Sequence, residues 1–118
     1  IKRAREYCKR YLDYNISVIA SFITPYEEMR EDNRNEFGDD YFEIWMNASL
    51  EKCIERDVKG LYKDAKNNRL DLMTGISDDF DKPNSSDLIC YTDSENIQQT
   101  VDKVMEKICQ QSSKDMED

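Results

Sequence analysis

Residues 16–23 read Ile-Ser-Val-Ile-Ala-Ser-Phe-Ile, a short run rich in β-branched residues and almost continuously apolar. A strand with one wet face alternates apolar and polar side chains. A run without alternation suits a strand covered on both faces, as in a parallel sheet. Parallel strands need long crossovers, usually helices, and the flanking sequence supplies them. In residues 1–14, Ala4, Cys8, Tyr11 and Leu12 form one apolar helix face, while Lys2, Arg3, Arg5, Lys9 and Arg10 read as a solvated surface. Asn15 suits the stop of that helix.

The alternation continues along the chain. Thr24-Pro25 ends the apolar run, with Thr24 suited to a helix cap and Pro25 to the first helical position. A helix over 26–37 carries Glu27 and Glu28 early and Arg30 and Arg34 late, the order the helix dipole favours. Gly38-Asp39-Asp40 is a turn, and Tyr41 to Ala48 a second strand. Ser49 suits the cap of a helix striped by Leu50, Cys53 and Ile54, which Gly60 interrupts; residues 61–68 continue as a very polar helical stretch. Residues 69–86 are loop-like, with Gly75 and Pro83. Leu88 to Tyr91 is a third strand, and Asp93 or Ser94 caps a last helix bearing Ile97, Val101, Val104, Met105 and Ile108. Residues 112–118 read as a frayed acidic tail. The class is α/β, with a mostly parallel sheet flanked by helices. Ligands in such folds bind beyond the carboxyl ends of the strands. Those ends are residues 22–26, 48–50 and 91–93.

Composition narrows the function. Seventeen Lys and Arg face 26 Asp and Glu, a formal net charge of −9. That argues against nonspecific binding to nucleic acid or to an anionic membrane. There is no His. A His general base, a Ser-His-Asp triad and a His-containing metal site are therefore excluded. Cys8, Cys53, Cys90 and Cys109 are widely spaced, without a Cys-x-x-Cys pair, and read as reduced thiols of an intracellular protein, cytoplasmic or organellar. Asn15-Ile16-Ser17, Asn47-Ala48-Ser49 and Asn84-Ser85-Ser86 match the glycosylation pattern by chance in an Asn-rich chain. No apolar run approaches membrane-spanning length.

Residues 53–65 carry the strongest signal. Arg56, Lys59 and Lys63 put three cations on about two turns around Gly60, Leu61 and Tyr62. Arg stacks on a purine or pairs with phosphate, and Lys meets phosphate as a point charge. A cationic flap hinged at Gly60 over an anionic ligand stands beside the plainer reading, a solvated helix.

The order of residues from Arg56 to Lys63, Arg-Asp-Val-Lys-Gly-Leu-Tyr-Lys, resembles the lid of adenylylsulfate kinases. Ser21-Phe22-Ile23-Thr24-Pro25-Tyr26 followed by Arg30 resembles that family's strand-end block. Phe42-Glu43-Ile44 with Leu50, Cys53 and Arg56-Asp57 resembles its next strand and helix, and Thr74-Gly75-Ile76 with Pro83 a further block. The resemblance runs from about residue 1 to about residue 109. It implies a P-loop kinase fold that transfers the γ-phosphate of ATP, with magnesium, to the 3′-hydroxyl of adenylylsulfate. By the same resemblance, Phe22, Ile23, Thr24, Pro25, Lys59, Leu61 and Met73 would bind adenylylsulfate. Arg56, Thr92 and Asp93 would edge ATP. A lid would span about residues 57–76. Dimers are common in the family, and its members stand alone or fused to a sulfurylase domain, so a homodimer or such a fusion is the partnership implied.

Two departures and one gap accompany the resemblance. Met73 stands where the family usually has a Phe that stacks on the substrate adenine, and Ser77 replaces the usual acidic residue. No Gly-x-x-x-x-Gly-Lys-Ser/Thr occurs in the 118 residues. A backbone cradle for the β- and γ-phosphates and a hydroxyl ligand for magnesium are thus not among them. Residues 1–111 are therefore expected to be the carboxyl-terminal part of a P-loop kinase domain, inactive alone, with roughly 60 to 80 residues preceding it. A related kinase acting on another nucleotide, and a non-catalytic sulfonucleotide-binding module, remain open. Replacing Lys59 by Ala is expected to lower kcat/KM for the sulfonucleotide with little effect on thermal unfolding. Unchanged kinetics would reduce Lys59 to a surface charge.

Overall fold

The computed structural model describes residues 2–57, 59–60, 63 and 79–117. In chain order it holds α1 (Lys2–Asp13), α2 (Glu27–Phe37), a 3-10 turn (Gly38–Asp40), β1 (Ile44–Asn47), α3 (Leu50–Arg56), β2 (Leu88–Tyr91) and α4 (Ile97–Glu117). β1 and β2 pair in parallel, from Ile44 opposite Leu88 to Asn47 opposite Tyr91. The class is α/β with a parallel sheet, as the alternation predicts.

Asn15 ends α1 as expected. Its φ of 59° is left-handed, and its N–H reaches the Leu12 carbonyl at 2.9 Å while that of Ile16 reaches Tyr11 at 2.9 Å. This paired closure satisfies the last helical carbonyls, and Asn tolerates the left-handed region better than most residues. An exposed ion pair, Lys9 to Glu36 at 2.6 Å, joins α1 to α2.

The expected strand over 16–23 is not formed. These residues are irregular, and Ile19 is 94% exposed. β-propensity is realised only against a neighbouring ladder, and among the described residues β1 pairs with β2 alone. The start of α2 also differs from expectation. Thr24 has a φ of 39°, away from the extended backbone that a cap residue needs, so neither Thr24 nor Pro25 opens the helix. Tyr26 stands at the cap position without a side-chain bond, and the Asp81 carboxylate takes the Glu27 N–H at 3.1 Å instead.

β1 is shorter than residues 41–48 because a polar knot occupies its approach. The Glu43 N–H donates to the Asp87 carboxylate at 2.7 Å, and its carbonyl accepts from the N–H groups of Asp87 at 2.9 Å and Leu88 at 3.2 Å. The buried Glu43 side chain accepts from the Tyr41 hydroxyl at 3.0 Å and the Ser86 hydroxyl at 2.9 Å, and Arg34 lies 3.6 Å away. The knot fixes the parallel register by joining the entries of both strands.

α3 is capped by Ser49, whose hydroxyl accepts the Lys52 N–H at 3.2 Å. It ends at Arg56, before Gly60, which instead sits in the following turn with a φ of 68°. The polar stretch 61–68 lies outside the described residues except for Lys63. α4 is capped by neither Asp93 nor Ser94. Asn96 and Gln99 exchange backbone-to-side-chain bonds, both at 2.8 Å, in a reciprocal capping box. The Ser94 hydroxyl turns back to the Tyr91 carbonyl, and Asp93 faces Ser49. α4 runs on to Glu117, through most of the segment read as a frayed tail.

Lys103 fastens α4 to β2, donating to the Ile89 carbonyl at 2.6 Å and to Glu95 at 3.1 Å. Beneath it Cys90 is fully buried, and burial pushes its thiol pKa up. All four cysteines are free thiols. Among the described residues no helix is long and apolar enough to cross a membrane.

Burial, and then the charge and hydrogen bond of Glu43, push the Tyr41 phenol up to about 12. A raised folded-state value means that the folded chain holds this proton where the unfolded chain has begun to lose it. The contribution is therefore fully present below the ordinary phenol value of about 10 and lost as pH rises towards 12. In an ultraviolet titration one of the seven tyrosines should ionise last, and Tyr41→Phe should remove that step.

Candidate functional site

Two groups of residues assemble around the β1–β2 pair. The first surrounds a cleft of roughly 220 Å³. One wall is the connection leading into α2, with Phe22, Ile23 and Thr24. Another is β1, with Ile44, Trp45 and Met46, and the third is the approach to β2, with Phe80, Pro83 and Ser86. Three of the residues expected to bind a nucleotide thus converge on one cavity. Pro25 does not line it but supplies a carbonyl behind it, which accepts the Asp81 N–H at 2.8 Å.

Arg30 and Glu43 are the charged side chains of the cavity wall, both buried. Arg30 donates to the carbonyls of Thr24 at 3.0 Å, Pro25 at 3.2 Å and Asp81 at 2.6 Å. It also pairs with the Glu27 carboxylate. Glu43 is engaged by Tyr41, Ser86 and Arg34. With both charges held by partners, the cleft offers aromatic and aliphatic walls edged by backbone polar groups. That surface suits a planar heteroaromatic ring with polar edges.

The second group lies past the carboxyl ends of the two strands. The Thr92 N–H and hydroxyl reach the Asn47 carbonyl at 3.1 and 3.4 Å. The Asp93 carboxylate accepts the Ser49 N–H at 3.1 Å, which places it at the start of α3. Arg56, from the end of α3, donates to the Thr92 carbonyl at 2.6 Å. The trio Arg56, Thr92 and Asp93 is therefore brought together, 36 residues of separation between Arg56 and Thr92 notwithstanding. Lys59 is exposed in the turn after α3. Leu61 and Met73 lie outside the described residues.

Sequence reasoning did not single out Trp45 or Phe80 as site residues. An aromatic in the otherwise polar stretch Asp78-Asp79-Phe80-Asp81 was a usable signal for Phe80. Nothing local marks Arg30 as buried, because its role depends on joining the nearby Thr24 and Pro25 carbonyls to that of Asp81, 51 residues away. Among the described residues no group of three or more His, Cys, Asp or Glu could hold a metal ion.

Residues 1–91 match the family described as adenylylsulphate kinase. The chain is 42% identical over 93 residues to the adenylyl-sulfate kinase of a Picosynechococcus species, covering 79% of this chain and 52% of that protein. It is 39% identical over 106 residues to the enzyme of the same name from Halothermothrix orenii, covering 90% and 57%. Against that of Clostridium kluyveri it is 33% identical over 106 residues, covering 90% and 53%. The crystal structure of APE1195 superposes with a TM-score of 0.76 at 34% identity, covering 87% of this chain and 59% of that one. The chain thus spans a little over half the length of these relatives.

Arg56 and its bond to Thr92 face solvent. Arg56→Ala is expected to cost less than about 1 kcal/mol of stability, since water replaces the lost partner. Thermal or urea unfolding checks this, and a larger loss would make Arg56 a structural strut rather than a residue free to serve a ligand.

Proposed function

The chain belongs to the adenylylsulphate kinase family, and we propose that the full protein transfers the γ-phosphate of ATP to the 3′-hydroxyl of adenylylsulfate. The observation that supports this reading most is the convergence of Phe22, Ile23 and Thr24 on one cleft, with Arg56, Thr92 and Asp93 gathered separately at the strand ends. A transferase of this kind needs two nucleotide positions, and the chain offers two groups of residues.

In this reading adenylylsulfate seats in the cleft, with its base against the aromatic and aliphatic walls. Arg56 lies along the ATP base, whose edge meets Thr92 and Asp93. Lys59 neutralises the sulfonucleotide's charge, and the lid that includes Leu61 and Met73 closes over it. Phosphoryl transfer asks for alignment and charge neutralisation more than covalent assistance. Closure also removes water, the competing acceptor.

ATP chemistry in this family uses magnesium, which would neutralise charge on the transferred phosphate. The described residues do not fit such a site, having no cluster of metal-ligating side chains, and the 118 residues have no P-loop hydroxyl. The part played by these residues is therefore acceptor binding, base recognition and lid closure. A phosphate cradle is not among the parts these residues supply, and the chain spans about half the length of these relatives.

Trp45 is the one tryptophan of the 118 residues and lines the cleft, so its emission, read as the difference between wild type and Trp45→Phe, reports on occupancy. Titrating the full protein with adenylylsulfate should change its emission saturably, and AMP should bind orders of magnitude more weakly. Added ATP and magnesium should then yield the 3′-phosphorylated product. Emission change without turnover would assign a binding module, and preference for another nucleotide a related kinase.

A further inference from the structure

We propose that Arg30 is a positioning residue for the acceptor: its guanidinium sets the Phe80 wall of the cleft against the Phe22–Thr24 wall, and so sets the gap in which the nucleotide base seats. This rests on the reading of the cleft as the adenylylsulfate site.

The geometry carries the proposal. Arg30 is only 3% exposed. Two of its bonds go to one wall, the Thr24 carbonyl at 3.0 Å and the Pro25 carbonyl at 3.2 Å. A third goes to the other wall, the Asp81 carbonyl at 2.6 Å. Its guanidinium carbon lies 5.1 Å from the centroid of the Phe80 ring, which lines the cleft and is 40% exposed. One cation thus supports the ring and spans both walls.

The wall at Thr24 needs such support. A φ of 39° is strained for a β-branched residue, and strained backbone persists only where its surroundings over-determine it. The Nε donor of Arg30 binds the carbonyl of that residue. The charge is met by Glu27, which caps the role of Arg30 as a ligand for phosphate and leaves it a strut between walls. Lys cannot replace it. An ammonium has no planar fork to serve three carbonyls while lying over a ring. The two walls keep a second connection without Arg30, because Asp81 binds the Glu27 N–H at 3.1 Å and the Pro25 carbonyl at 2.8 Å. Substitution at Arg30 therefore loosens the gap rather than separating the segments.

Steady-state kinetics on the full protein test this. Arg30→Lys should raise KM for adenylylsulfate by at least about tenfold, with KM for ATP and kcat within about twofold of wild type. Phe80→Leu should reproduce the rise and Phe80→Tyr should not. The double variant should be little worse than the worse single one, because the two side chains act as a unit. An unchanged acceptor KM overturns the proposal. So does a fall in kcat with both KM values unchanged, the signature of a smaller folded fraction. Should Arg30→Lys fail to fold, the Phe80 pair decides alone: a normal acceptor KM in Phe80→Leu overturns it. If wild-type protein does not bind adenylylsulfate, the parent reading fails and this one with it. If it binds normally and the variants are silent, only the role of Arg30 fails.

Discussion

A buried guanidinium holds this structure together where two chain segments 51 residues apart meet. Burying a cation is costly unless it is hydrogen-bonded and its charge is balanced. Arg30 meets both conditions, with three backbone carbonyls and the Glu27 carboxylate. Hydrogen bonds to a charged group contribute about 1.5–3 kcal/mol each, and stranding one buried partner costs several. The connection into α2, the cap of that helix and the wall of the cleft all hang on the same few atoms, because Asp81 also caps Glu27.

The same logic recurs one layer further along. Glu43 ties the entries of β1 and β2 through its backbone, and its carboxylate collects Tyr41, Ser86 and Arg34. Among the described residues Cys90 is the apolar side chain that reaches full burial. Segment placement therefore leans on polar contacts aimed at backbone groups. Such contacts are directional where apolar packing is not, and direction is what a binding cleft requires of its walls.

Local structure was widely legible in the sequence. α1 with its Asn15 stop, α2, the Ser49 cap and β2 follow from periodicity and cap chemistry, which depend on residues within a few positions of one another. Readings failed where a distant partner decided. The 16–23 run has strand composition but no ladder neighbour among the described residues. Thr24 looks like a cap, yet an acidic side chain from residue 81 took that role and left Thr24 in a left-handed turn. At α4 the failure was local: Asn96 and Gln99 form a legible capping box that two nearer-looking candidates obscured.

The site divides along the same line. By itself the sequence determined the class and pointed to the family, and it named Phe22, Ile23 and Thr24 of the cleft and Arg56, Thr92 and Asp93 at the strand ends, because chemistry-bearing blocks keep their order and spacing along a chain. Only the tertiary structure decided that Arg30 is buried, that Phe80 and Trp45 face the same cleft as Phe22, and that Arg56 closes on Thr92. The physical reason is range. Periodicity reports forces between near neighbours, whereas a cleft is made by carbonyls and rings that meet only after the crossovers have been traversed.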